Sequence, residues 1–388
     1  MQRILRRYHR KACHDHTPRL SFIVVVLAVV GSGASTSAVS GKEPAWRSRM
    51  TAQVHGYRCK DLAFSRDGRL LASVGPAADG SGEIKLWNVA TGQEAASWAA
   101  HAHEVRAVEF SPDGRTMATG SGPWEGDGEI KLWNVDTRTE RSTLAIPDSG
   151  VLSLSFAPNG RRIAVGNGYY SDERCFGAVA LWDLAAEKET PSPTELLRGE
   201  GNSLAFSPDG SRLATSSGAF DAGLNRIVWE LTLWDAVAGK PQDTLYSSRD
   251  QPGGELWSVI SSVAFSHDGK FLAAGGRSGT KGFVRVWDMA TRGIWATLPE
   301  QPGAVWAVTF SPDSKTLATA GNSQPIKFWD TATSQEIASL DVFDGGVFAL
   351  AMSPDGKHVV AGGSRLNGDD LGDNQTGFIA WWIRDQEK

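Results

Sequence analysis

Cysteine is scarce in this chain: three residues in 388, Cys13, Cys59 and Cys175. Cys59 and Cys175 fall in different copies of the repeat described below. Bridged Cα atoms lie within about 7 Å of each other, so no disulfide framework is expected, and a chain of this length can instead be held by its core. Histidine is also sparse. Beyond residue 40 only His55, His101, His103, His267 and His358 occur. No Cys/His metal spacing, nucleophile motif or phosphate loop is present, so no cofactor and no metal site is assigned. His101 and His103 would share one side of a strand, but no third ligand accompanies them. Asp369, Asp370, Asp373 and Asn374 offer oxygen ligands without the spacing of a calcium loop. An excess of basic residues is missing too. Residues 41–388 hold 33 basic and 43 acidic side chains, which argues against nucleic acid or an anionic membrane as partner.

Long apolar runs are absent except for one, Leu20 to Val30. Arg3, Arg6, Arg7, Arg10, Lys11 and Arg19 precede it, and small residues follow from Gly31 to Ala38. Positive region, short apolar core and small-residue exit together predict a signal peptide over residues 1–40. The mature domain would then be extracytoplasmic, periplasmic or secreted. The alternative is an uncleaved anchor over residues 20–41.

What is abundant is repetition. Phe64-Ser-Arg-Asp-Gly68 returns as Phe110-Ser-Pro-Asp-Gly114, Phe156-Ala-Pro-Asn-Gly160, Phe206-Ser-Pro-Asp-Gly210, Phe265-Ser-His-Asp-Gly269, Phe310-Ser-Pro-Asp-Ser314 and Met352-Ser-Pro-Asp-Gly356. Pro, Asp or Asn, and Gly each suit a different position of a tight turn. Apolar residues alternate on both sides, which is a strand pattern. A second phrase, Ile84-Lys-Leu-Trp-Asn88, also returns seven times and ends as Ile379-Ala-Trp-Trp-Ile383. A fourth, weaker strand follows each Trp. Seven copies of one four-stranded unit make an array, not a set of domains.

On these residues the chain resembles the WD40-repeat β-propeller family over roughly residues 46–388. The resemblance implies an all-β fold of seven four-stranded antiparallel blades. The blades would span about 55–100, 101–146, 147–197, 198–247, 248–298, 299–340 and 341–388. It also implies a polar network in each blade, and blade 2 matches it with His101, Thr119, Asp127 and Trp133. This set is read as structural, not as a catalytic pair. The chain ends six residues after Trp382, too soon for a last outer strand. The near-constant 23-residue step from Trp to the next Phe places the missing strand at 47–54, ahead of Phe64. That segment is expected to close blade 7.

The spacing within the repeats varies on one face. Elaboration falls in the b–c and d–a connections, which share an end of the propeller, while the a–b and c–d turns stay short. Trp124, Tyr169, Tyr170 and Phe220 lie in the longer b–c connections and are candidate anchors for a partner. The position four before each motif Phe supplies Lys60, Arg106, Trp306 and Phe348 on the adjacent blades 6, 7, 1 and 2. Two aromatics and two cations in one arc suit an acidic or peptide-like ligand, and a protein or peptide partner is expected. The expected function is a non-catalytic, monomeric interaction platform that is exported. The alternative is a secreted carbohydrate- or small-ligand-binding propeller, calcium-assisted through its acidic loops.

Overall fold

The computed structural model describes residues 46–123, 126–171, 174–184, 188–190, 200–221, 223–224, 226–250, 259–322, 324–342, 345–366 and 375–385. They form seven four-stranded antiparallel sheets, six of them built from consecutive strands. In each blade the innermost strand, a, leads through b and c to the outermost, d. Blade 2 is typical: Val105–Phe110, Thr116–Ser121, Gly128–Asn134 and Glu140–Ile146. Each a strand touches the a strand of the next blade, and the seventh touches the first, so the ring is closed around an axis lined by a strands.

Closure uses the N-terminal strand. Trp46–His55 is the d strand of blade 7, beside the c strand Gln375–Arg384, then His358–Leu366 and Gly345–Met352. Its register runs antiparallel from Trp46 opposite Arg384 to His55 opposite Gly377. Expectation and structure agree on this strand. Without it the c strand of blade 7 would present an unpaired outer edge.

The core is seven separate seams, one between each pair of neighbouring blades. Each motif Trp packs towards the preceding blade; Trp133, for example, joins Ala72, Val74, Ile84 and Leu86 of blade 1. Blade 7 alone has two consecutive tryptophans. Trp382 faces blade 6, and Trp381 faces blade 1 across the closing seam.

The repeated turn is held by its own side chains. Ser111 Oγ donates to Asp113 at 2.6 Å and accepts the Thr116 N–H at 3.0 Å, while Asp113 accepts the Arg115 N–H at 3.0 Å. Gly114 sits at φ 70°, the left-handed region that glycine enters without a Cβ clash. In blade 6 the glycine is replaced by Ser314, which adopts φ 60°. There the Ser314 hydroxyl accepts the Asp268 N–H of blade 5 at 3.0 Å, a bond that offsets part of the backbone strain.

Consecutive a strands are also linked by side-chain acceptors. Asp61 accepts the Val108 N–H, Glu109 the Phe156 N–H, Ser155 the Phe206 N–H, Ser203 the Val263 N–H and Ser262 the Val308 N–H. Blades 1 to 5 thus each satisfy a backbone donor that the next blade's own sheet leaves unpaired.

Candidate functional site

The position four residues before the motif Phe has a structural cause for its direction. In blades 2 to 7 the register of strand a slips by one residue there, between Val105 and Ala107, Val151 and Ser153, Gly201 and Ser203, Ile260 and Ser262, Val305 and Ala307, and Val347 and Ala349. Arg106, Leu152, Asn202, Ser261, Trp306 and Phe348 are therefore β-bulge residues. A bulge leaves its extra residue unpaired and re-aims the side chain. Lys60 lies at the same place, immediately before the a strand Asp61–Phe64.

On blades 6, 7, 1 and 2 these side chains make two groups. Trp306 and Phe348 have ring centroids 6.3 Å apart, and the Trp306 indole N–H donates to Asn322 Oδ1 at 2.9 Å. Lys60 and Arg106 share Glu104, at 3.1 and 3.0 Å. Burial drives the Lys60 ammonium down to about 8, helped by the Arg58 and Arg106 charges and opposed by Glu104. Burial alone would raise Glu104, but Lys60 and Arg106 hold it at about 2. Arg58 joins the groups. Its guanidinium lies 5.6 Å from the Phe348 ring and 4.3 Å from Tyr57. Sequence reasoning missed Arg58 and Glu104, because neither occupies the repeat position that was compared. The usable signal was charge: each stands two residues before a counted cation.

Of the other candidate anchors, only the strand positions of Tyr169 and Tyr170 and the whole of Phe220 are described. Tyr169 and Tyr170 lie on an extended b–c hairpin of blade 3, opposite Phe176 and Cys175. Phe220 is half-buried on the corresponding hairpin of blade 4, opposite Ile227. Both hairpins have strands of ten residues, Arg162–Ser171 with Arg174–Asp183 and Arg212–Asp221 with Arg226–Asp235. What spacing showed as long loops is mostly added strand. Trp124, the side chains of Tyr169 and Tyr170, and the acidic run 367–374 lie outside the described residues, as does the predicted signal segment.

The polar network of blade 2 needs one correction. His101 Nε2 meets Thr119 Oγ1 at 2.8 Å, and the Trp133 indole N–H donates to the same oxygen at 2.8 Å. The acid on Nδ1 is Glu129, at 2.7 Å, not Asp127. Asp127 instead accepts the Asp148 N–H at 2.9 Å and ties the b–c connection to the d–a connection. Glu129 is the second residue of strand c, and its side chain has the reach that Asp127 in the turn lacks. Blade 1 repeats the pattern with His55, Ser73, Trp87 and Glu83. Blades 4 and 6 keep its inner half, Trp234 to Thr215 and Trp329 to Thr319, without a histidine.

Ser73, His55 and Glu83 stand in the order of a nucleophile, base and orienting acid. Their surroundings assign a different role. Ser73 is fully buried, and its oxygen already accepts the Trp87 N–H. Burial holds His101 down to about 4 despite Glu129, so its imidazole is neutral near pH 7. A folded-state value below the unfolded one makes the network favour folding above about pH 6.5 and lose that stabilisation as pH falls towards 4. We expect His101→Ala to cost about 2–3 kcal/mol, because Glu129 and Thr119 lose a buried partner, and Asp127→Asn under about 1 kcal/mol. Urea unfolding of the two variants decides it; equal losses would return the acid role to Asp127.

A closed ring of seven four-stranded blades, each with a Trp-bearing c strand bonded or packed as above, is a seven-bladed β-propeller, and WD40 repeats are recognised in it at four positions. The family model of the WD domain, G-beta repeat, matches residues 46–88, 92–134, 252–288 and 295–330. Among curated proteins, 121 residues are 31% identical to cilia- and flagella-associated protein 52 of Sus scrofa, covering 31% of this chain and 17% of that protein. The Mus musculus protein of the same name is 31% identical over 123 residues, again 31% of this chain and 17% of the relative. The chain therefore matches about a sixth of the length of these relatives.

The relatives overturn the expected location. Their names place them with cilia and flagella, not among exported proteins. The extracytoplasmic assignment and its membrane-anchored alternative are both withdrawn. An eleven-residue apolar run is shorter than a bilayer span, and basic flanks with small residues beyond it are compositional features that do not by themselves make an export signal.

Proposed function

We propose that this propeller is a non-catalytic interaction platform that binds a protein or peptide segment at the channel mouth, on the face of the b–c and d–a connections. The observation that carries this reading is the arc from Trp306 through Phe348 and Arg58 to Lys60 on adjacent blades, its two aromatics set on bulge positions. Aromatic and arginine side chains held in fixed geometry are what interface hot spots are made of. The opposite face offers the compact Ser-x-Asp-Gly turns and shallow notches between blades, one of about 140 Å³ beside Trp46 and Phe328. The pseudo-triads are struts, which supports a binding role over chemistry.

The test is site-specific photocrosslinking with benzoylphenylalanine at position 306 and, for comparison, at Lys357 on the opposite face. The expected result is one discrete adduct from position 306, lost in Phe348→Ala and reduced at least tenfold by a Trp306 competitor protein without the photoprobe. Equal adducts from both positions, or indifference to Phe348→Ala, would count against the mouth.

A further inference from the structure

The cations at the mouth are not equivalent. Lys60 and Arg106 are both paired with Glu104. Arg58 has no ion pair among the described residues, and its Nε is buried without a hydrogen-bond partner. Its guanidinium is instead held between the Tyr57 and Phe348 rings. Two of the three cations thus share one carboxylate, while the third, Arg58, lies near enough to Lys60 for its charge to be felt there. Burial is the main reason the Lys60 ammonium is lowered, and the Arg58 and Arg106 charges add to it. This local excess stands out on a chain whose net charge is −5.

Resting on the mouth as the binding face, we propose that Arg58 is the specificity-determining residue of this site: it receives a carboxylate side chain of a bound peptide, while Phe348 and Trp306 take a large apolar side chain next to it. The placement fits in three respects. A planar guanidinium fixed by two rings has already lost the rotamer freedom that binding would otherwise remove. An unpaired, partly buried guanidinium gains most from an anion that brings a full hydrogen-bonding edge. The adjoining ring pair, at 6.3 Å, is open enough on one side for its members to remain only half-buried. A single negative charge suits the site better than a phosphate dianion, because Glu104 is ionised beside it and would repel the second charge.

The inference predicts a sequence pattern, Asp or Glu within two residues of Trp, Phe or Leu, in peptides that bind the folded protein. A random twelve-residue display library supplies the probe, with the full chain as bait. Selected peptides, resynthesised, should bind at least tenfold more weakly to Arg58→Gln than to the parent. Replacing their acid by Gln or Asn should cost as much, and the two changes together should cost no more than either alone. Arg58→Lys, which keeps the charge but not the planar edge, should fall between. Matching thermal unfolding curves for all variants separate a lost contact from a lost fold.

The outcomes are distinct. Acid-independent peptides that still require Phe348 and Trp306 would overturn the role of Arg58 and leave the mouth as the binding face. Peptides indifferent to Arg58, Phe348 and Trp306 alike, or no enrichment at all, would overturn both. A phosphoserine version that binds more tightly than the acidic parent would make the site a phosphopeptide receptor and overturn the carboxylate assignment.

Discussion

Trp381→Ala is expected to destabilise this protein by about 3–5 kcal/mol, the range for emptying a buried aromatic site. Trp381 is fully buried in the seam that joins the last blade to the first. It packs with Val54, Cys59, Leu62, Leu71 and Trp87, and meets the Phe64 ring edge-on at 6.3 Å. Its indole N–H donates to His358 Nδ1 at 3.1 Å. The Arg49 guanidinium lies 5.1 Å from its ring and donates to the carbonyls of Val89 and Ala90, both at 2.6 Å. Arg49 belongs to the closing strand and those carbonyls to blade 1, so the pair bolts the ends of the ring together. At the corresponding place blade 1 has Leu86 and blade 2 has Leu132, each buried. Trp381→Leu should therefore cost less, about 1–2 kcal/mol, and Arg49→Ala about 2 kcal/mol. Urea unfolding with tryptophan fluorescence and far-ultraviolet circular dichroism would measure all three. A loss under 1 kcal/mol for Trp381→Ala would mean that the seam contributes little and that the ring is held by its other six interfaces.

The repeat made the ring legible before any coordinates. Turn chemistry at each Ser-x-Asp-Gly phrase and the Trp of each c strand are local signals, set by φ, hydrogen bonding and side-chain size, and they survive in a single sequence. The closing strand was readable because the Trp-to-Phe interval is a geometric constant of the blade. The direction of Arg106, Trp306 and Phe348 was readable only by position; its cause, a bulge in strand a, leaves no residue signature. The acid of the histidine network was misplaced for a related reason. Asp127 and Glu129 are two residues apart and chemically alike, and only side-chain reach from a turn or a strand separates them. Arg58 was invisible because it is an irregular residue in a comparison built on regularity. The long connections of blades 3 and 4 read as loops because the Gly-rich run of blade 3 and the Ser-Ser-Gly-Ala run of blade 4 break the apolar alternation that marks a strand.

Glu109→Gln and Asp61→Asn should each stabilise the propeller at pH 8.5 and leave it nearly unchanged at pH 4.5. In blades 3, 4 and 5 the acceptors that reach the next blade are serine hydroxyls, but blades 1 and 2 use these two carboxylates. Burial pushes Asp61 up to about 7, against the pull of the Val108 and Leu62 N–H groups. Burial, with the Asp61 charge added, pushes Glu109 up to about 8, against the Phe156 N–H. The sign follows from linkage. An acid whose folded value is raised binds more protons folded than unfolded between the two values, so stability falls as pH rises through that window. The window runs from about 4 to about 7 for Asp61 and from about 4.5 to about 8 for Glu109. Both side chains keep some exposure along the channel wall. Water there screens part of the penalty, and the gain at pH 8.5 is set at about 1–2 kcal/mol for each amide. In Glu109→Gln the amide oxygen still accepts the Phe156 N–H, so that bond is kept while the charge is removed; in Asp61→Asn one oxygen must serve where two accepted the Leu62 and Val108 N–H groups, so its gain falls at the lower end. The histidine network works in the opposite direction over an overlapping window, about pH 4 to 6.5, so the two effects partly cancel there and the acids act alone above it. Thermal melts of parent, single and double variants from pH 4 to 9 make the comparison. If Glu109→Gln melts lower than the parent at pH 8.5, the carboxylate is ionised and bonded in the folded protein at that pH, and the link it makes is worth more charged than neutral.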